Sequence, residues 1–291
     1  MSSNLLLPIS MLACLLGGTI NKIYSSRWNE HGAFRYVFTL TTGLVSAIIL
    51  FLWGGIEHIS VFTLALGVTF GVVTALQSIF LLQALQLGSY AYTVVFTSLS
   101  MLIPALSGCI FWNEKLGILQ IIGMLLIVIC LILSVDRSEG NKKITLKWLF
   151  ACGIAFLCGG LIGVLQKIHQ TSPYQDELNA FLVIAFAFSC IFSAVACLIS
   201  INRDGKIRLL RNEKILIMTL LIIAGACIAV NNKLNLYLSG VMNSAIFFPL
   251  VNGGHLVLTT LVAVVFFHEK LTARQWVGLV SGFVAVLMLC I

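Results

Sequence analysis

Apolar stretches of about 20 residues, long enough to span a hydrocarbon core, recur along the whole chain with only short polar connectors between them. Backbone groups inside lipid must bond within their own segment, so stretches of this length can only be helices. Windowed hydropathy places ten of them, at 5–24, 33–53, 61–86, 89–111, 117–135, 147–167, 179–201, 214–238, 242–267 and 273–290. The composition agrees: 60% of the 291 residues are hydrophobic and 9% are charged, whereas a soluble domain carries about a quarter charged. The reading is an all-α integral membrane protein of one membrane domain, with nothing left over for a soluble one. The stretch 5–24 lacks a preceding basic residue and a following small-x-small cleavage site, so it reads as a retained helix rather than a signal peptide.

The net charge of +7 does not mark a nucleic-acid binder, because the basic residues sit at helix ends and in short loops, where they meet lipid headgroups. Of the 17 Lys and Arg, fourteen fall on one side of the expected arrangement, in or beside the connectors 25–32, 136–145, 202–213 and 268–272. Lys115 and Lys167 fall on the other side, and Lys233 lies within a helix. The positive-inside rule puts the rich side in the cytoplasm and both termini outside a plasma membrane. The nine cysteines all lie in apolar spans with no CxxC spacing and read as small packing residues, so neither a metal nor another cofactor is expected.

An internal repeat organises the chain. Trp112-Asn-Glu-Lys-Leu116 and Phe267-His-Glu-Lys-Leu271 stand 155 residues apart. The same offset pairs Leu81 with Leu236, Ser89 with Ser244, Leu106 with Leu261, Gln120 with Gln275 and Gly123 with Gly278. Leu16-Gly-Gly-Thr-Ile-Asn-Lys22 has a weaker echo in Cys158-Gly-Gly-Leu-Ile, with Gln166 and Lys167 following. Five helices per half is an odd number, so the halves would lie in opposite orientations, as in many secondary transporters. The expected plan is ten transmembrane helices as two inverted five-helix repeats: 1–136, a linker loop 137–146, and 147–291.

The duplicated Glu-Lys-Leu turn followed by a Gln-x-x-Gly helix resembles the EamA-type transporters of the drug/metabolite transporter superfamily, and the likeness covers the whole chain. It implies a membrane carrier and says little about the solute. The chain departs from that pattern at Met101 and Leu256, where the family often carries a mid-helix proline; Pro104 and Pro249 stand elsewhere.

No carboxylate falls at a helix centre, which argues against a proton pump driven by a buried acid and leaves a facilitator, an exchanger or a histidine-coupled carrier. The recurrent Glu114-Lys115 and Glu269-Lys270 favour an architectural job, a carboxylate capping the next helix. His268-Glu269 is no HExxH zinc motif, since Thr272 takes the last position. Thr93, Thr97, Ser100, Pro104 and Ser107 share one helical face, and Asn252, His255 and Thr259 share another. The offset puts Thr97 on Asn252, Ser100 on His255 and Gln77 on Asn232, with Asn231 and Asn235 beside the latter. Two polar faces at equivalent positions point to a cavity lined by both halves. The other reading is that the hydroxyls bond their own helix and the asparagines glue helices together. Gln77, Thr97, Ser100, Asn231, Asn232, Asn235, Asn252 and His255 are the candidate solute contacts. Lys233 either meets an anionic group or snorkels to the headgroups; Asn21 with Lys22, and Gln166 with Lys167, lie nearer helix ends, where snorkelling is expected. Small-residue ridges such as Thr63, Gly67, Gly71 and Ala75 read as close helix packing.

The expected function is alternating-access transport of a small polar metabolite, such as an amino acid or a nucleobase-like compound. Its expected partners are that solute and the lipid bilayer, with monomer and homodimer both open. A channel and a membrane-embedded enzyme are the rival readings; one buried histidine without a carboxylate argues against the enzyme.

Overall fold

The computed structural model describes residues 3–28, 33–88, 90–134, 145–204, 211–267 and 272–290. Every regular element among them is helical: α1 (Ser3–Trp28), α2 (Ala33–Gly54), α3 (Val61–Leu87), α4 (Tyr90–Ser98), α5 (Leu102–Phe111), α6 (Ile118–Ser134), α7 (Leu146–Gln170), α8 (Leu178–Asp204), α9 (Arg211–Val241), α10 (Ser244–Phe267) and α11 (Ala273–Cys290). Seven helical stretches are long and apolar enough to cross a membrane, and Ile118–Leu133 and Ala273–Leu289 are shorter apolar helices. The protein is therefore a multi-pass helical membrane protein. Glu269 and Lys270 lie outside the described residues, as does the side chain of Thr259.

The helix expected over 89–111 is broken, with a 3-10 turn over Leu99–Met101 joining α4 to α5. Pro104 is the local cause. It has no N–H to give the Ser100 carbonyl, and its ring crowds that carbonyl. Helix starts are capped by side chains. Ser60 accepts from Thr63 N at 3.1 Å and Thr145 from Trp148 N at 3.2 Å. The glutamines of the repeated motif do the same from inside the helix. Gln120 Oε1 accepts from Gly117 N and Gln275 Oε1 from Thr272 N, each at 2.9 Å. The motif's glutamine is thus a helix-start device at both of its occurrences.

Outward faces are apolar. On α6, Ile118, Ile122, Leu125, Ile129 and Ile132 form an exposed stripe at alternating four- and three-residue steps, the pattern of a lipid-facing surface. Inward, α2 packs on α8 and α6 on α11, while α3 packs on α7 and α8 and α9 packs on α1 and α2. Glycines set the closest approaches. A Cβ on Gly71 would run into the Ala185 carbonyl, and one on Gly67 would stand 3.2 Å from the Phe181 carbonyl. At the α6–α11 crossing, a Cβ on Gly123 would lie 3.2 Å from Ala285 O, and one on Gly278 3.4 Å from Cys130 O. Those four positions exchange under the 155-residue offset, 123 with 278 and 130 with 285.

One end of the bundle is tied by polar contacts between connectors. Glu177 Oε2 accepts from Ser60 Oγ at 2.8 Å, Asn179 Nδ2 donates to Gly55 O at 2.6 Å, and Trp112 Nε1 donates to Thr171 Oγ1 at 3.1 Å.

Candidate functional site

Between the helices lies a cavity of about 380 Å³, within the range typical of small-molecule sites. It is walled by α1, α2, α3, the 3-10 turn, α5, α7, α8, α9 and α10, so both sequence halves contribute. Gln77, Ser100, Asn231, Asn232, Asn235, Asn252 and His255, seven of the expected contacts, line it together. On α9, Ile228, Asn231 and Asn235 follow helical steps of three and four, and on α10 Phe248, Asn252 and His255 do likewise. Small residues open the space. Gly17 and Gly18 on α1 and Gly159 and Gly163 on α7 face it. A Cβ on Gly159 would stand 2.9 Å from Ser100 Oγ, and one on Gly18 3.3 Å from His255 Nε2.

Two expected contacts lie elsewhere. Thr97 is not among the lining residues. Its hydroxyl donates back to Thr93 O at 2.9 Å, as helical threonines do when no better acceptor is in reach. Lys233 also lies away from the cavity. Its Nζ donates to Asn179 Oδ1 at 3.2 Å and sits 4.3 Å from the Trp53 ring centroid, a cation–π contact near the tied end of the bundle.

The sequence reading missed several lining groups: Asn21, Thr39, Thr74, Ser78 and Gln166. Asn21 and Gln166 stand next to lysines near helix ends, a position that reads as an exit to the headgroups. The three hydroxyls carried no repeat signal to single them out.

The polar groups of the cavity are partly committed to one another. Asn252 Nδ2 donates to Phe248 O at 2.9 Å and Asn232 Nδ2 to Ile228 O at 3.0 Å, so each amide is fixed to its own helix with its oxygen turned elsewhere. Gln166 Nε2 reaches Asn232 Oδ1 at 3.4 Å. Ser10 Oγ stands 2.9 Å from Asn231 Oδ1 and 2.6 Å from Asn235 Oδ1, tying α1 to α9. Thr39 Oγ1 donates to Ser78 Oγ at 3.0 Å, tying α2 to α3.

Immediately beyond Gln166, Lys167 corrects the expectation that it snorkels. It is buried, and its Nζ lies 2.9 Å from Glu114 Oε1. The same ammonium donates to Ser239 O at 3.0 Å and Met242 O at 3.1 Å, the loose carbonyls at the end of α9. Glu114 Oε2 in turn accepts from Ser244 N at 2.9 Å, capping α10 rather than the following helix α6. Each charge therefore meets the end of a helix macrodipole that favours it. Asn113 takes a left-handed conformation at φ 50°, which a short polar side chain tolerates, and this turns Glu114 back over α5. Gly108 leaves the room, since a Cβ there would collide with Glu114 Oε2. The ion pair thus joins the two sequence halves and closes the bundle beside the cavity.

No family model matches the chain, and no curated protein matches it. A solved structure described as "Crystal structure of protein" superposes with a TM-score of 0.74 over 99% of this chain and 96% of that one, at 14% identity. At that identity the likeness concerns the fold alone.

Proposed function

We propose that this membrane protein is a secondary carrier of the EamA type, ten transmembrane helices in two inverted five-helix repeats, moving a small polar metabolite across the plasma membrane. The observation that carries the reading is the cavity of about 380 Å³ lined by amides and hydroxyls from both halves. Carriers built from inverted repeats place their solute site at the repeat interface. The exchanged helix partners and the paired crossings of Gly123 and Gly278 support the repeat plan. Irregular backbone at Leu99–Met101, which carries lining residues Ser100 and Met101, fits the rule that broken helices in membranes face a cavity. Gln77, Ser100, Asn231, Asn232, Asn235, Asn252 and His255 bond the solute in this reading, and Thr97 and Lys233 do not. The charge bias places both termini outside, with the Glu114–Lys167 closure at the outer end.

Counterflow in proteoliposomes loaded with a pooled metabolite library tests it. A carrier gives saturable uptake stimulated by solute on the far side. Flux that rises in proportion to concentration without such stimulation would make it a channel, and chemical change of a library member would make it an enzyme.

A further inference from the structure

The cavity's chemistry narrows the solute, an inference that rests on the carrier reading for the solute's passage but not for its binding. We propose that the cavity selects uncharged, planar solutes bearing an amide or lactam edge, of the nucleobase or heterocyclic carboxamide class, over amino acids and other carboxylates. Among the described residues that line it there is no Asp, Glu, Lys or Arg. A carboxylate or ammonium stripped of water is costly without an opposite charge, and a wall that lacks one disfavours it. Of the cations next to lining residues in sequence, Lys22 is exposed, and Lys167 is held by Glu114, Ser239 O and Met242 O. Lys233 is turned to Asn179 and Trp53.

What the wall does offer is neutral and two-sided. The side chains of Gln77 and Ser100 make no hydrogen bond to another described residue, so the Gln77 amide is open to a solute. That amide presents a donor and an acceptor side by side, the arrangement that pairs with the edge of a nucleobase. Asn252, with its Nδ2 committed, offers an acceptor. Asn231, with its oxygen engaged by Ser10, offers a donor. Asn21 Oδ1 and Thr74 Oγ1, both on cavity-lining residues, are buried without a partner among the described residues. Buried polar atoms are nearly always satisfied, so these two mark places where a solute or its water completes the bonding. Phe38, Phe186 and Phe248 supply apolar rings against which a flat solute can rest.

The test uses the purified full-length chain at about pH 8, above the ordinary pKa of a free imidazole. Radiolabelled nicotinamide, hypoxanthine and uracil are compared with nicotinate and glutamine, in direct binding and in proteoliposome counterflow. Nicotinamide and nicotinate share a ring and differ in charge. The expected result is saturable binding of at least one uncharged compound, with nicotinate and glutamine weaker than nicotinamide by about tenfold or more, ~1.4 kcal/mol per decade. Gln77→Glu and Gln77→Met, each retaining wild-type thermal stability, should lose binding of the uncharged compound by a similar factor. The proposal is overturned if nicotinate or glutamine binds as well as nicotinamide, if no uncharged compound binds, or if both stable Gln77 variants bind normally. Binding of the uncharged set without any counterflow would sink the carrier reading and leave the selectivity standing. Saturable glutamine exchange with no nicotinamide binding would do the reverse.

Discussion

The Asn252 amide is anchored by its Nδ2 to the Phe248 carbonyl at 2.9 Å, which leaves the oxygen as the part able to meet a solute. Truncation to Ala would leave a solute donor unpaired, a loss of roughly 1–3 kcal/mol. Asn252→Ala and Asn232→Ala are therefore expected to weaken solute affinity by about tenfold or more, at ~1.4 kcal/mol per decade, as read by titration of the purified protein. Thr97→Val is the control, because the Thr97 hydroxyl bonds only the carbonyls of its own helix; affinity should not move. If the asparagine variants lose thermal stability while the folded fraction binds normally, these residues belong to the scaffold. Asn232, Asn252 and His255 could be picked from sequence because polar groups are costly in apolar helices and theirs recur at one offset. Thr97 satisfied the same pattern, yet a hydroxyl can be satisfied by its own backbone, a choice that spacing does not reveal. Asn21 and Gln166 were passed over for the opposite reason, since nearness to a helix end suggested an exit to the headgroups. The direction a side chain takes depends on what packs across from it, and that is tertiary information.

At the scale of helices, the Glu114–Lys167 pair fastens the ends of α9 and α10 to α7 and the loop after α5. Removing one partner of a buried pair strands the other charge, which costs roughly 3–5 kcal/mol. Lys167→Met and Glu114→Gln should each lower the thermal midpoint of the detergent-purified protein substantially. The double variant should lose less than the two single losses together, because no charge is then stranded. Full additivity would show that the two groups act separately. Glycine contacts give a second pair of expectations. Gly71→Ala drives a Cβ into the Ala185 carbonyl, whereas a Cβ on Gly153 meets nothing within 4 Å. Gly71→Ala should sharply reduce folded yield, while Gly153→Ala should be neutral or stabilising by up to ~1 kcal/mol, the helix-propensity gain over glycine. Helix positions were legible in the sequence because a lipid-spanning segment needs an unbroken apolar run and its caps are local. The 3-10 turn at Leu99–Met101 lies just before Pro104, a visible cause, but the family-like pattern drew attention to Met101 instead. The pairing of Glu114 with Lys167 links residues 53 positions apart on different halves and left no local trace.

Across the whole molecule, the absence of any acidic residue from the described cavity wall leaves His255 as its one imidazole. Transport should then respond weakly to an imposed proton gradient, and whatever response exists should vanish in His255→Gln, which keeps a hydrogen-bonding group without a titratable ring. A strong gradient dependence that survives the substitution would place coupling elsewhere. The orientation is testable from the charge bias, fourteen Lys and Arg on one expected side against Lys115 and Lys167 on the other. Lys and Arg in short loops resist translocation, so the rich side is expected in the cytoplasm. The structure ties the loop near Trp112 to Thr171 at one end of the bundle, the end assigned to the outside. Single cysteines are introduced into a variant lacking the nine native ones, which lie in apolar spans. Ser3→Cys and Thr171→Cys should react with an impermeant maleimide on intact cells, and Gly205→Cys only after permeabilisation. The opposite pattern would invert the protein in the membrane and move the Glu114–Lys167 closure to the cytoplasmic end. Labelling of Ser3→Cys and Gly205→Cys from the same side would require an even number of crossings between them, and the two five-helix repeats would fall with it.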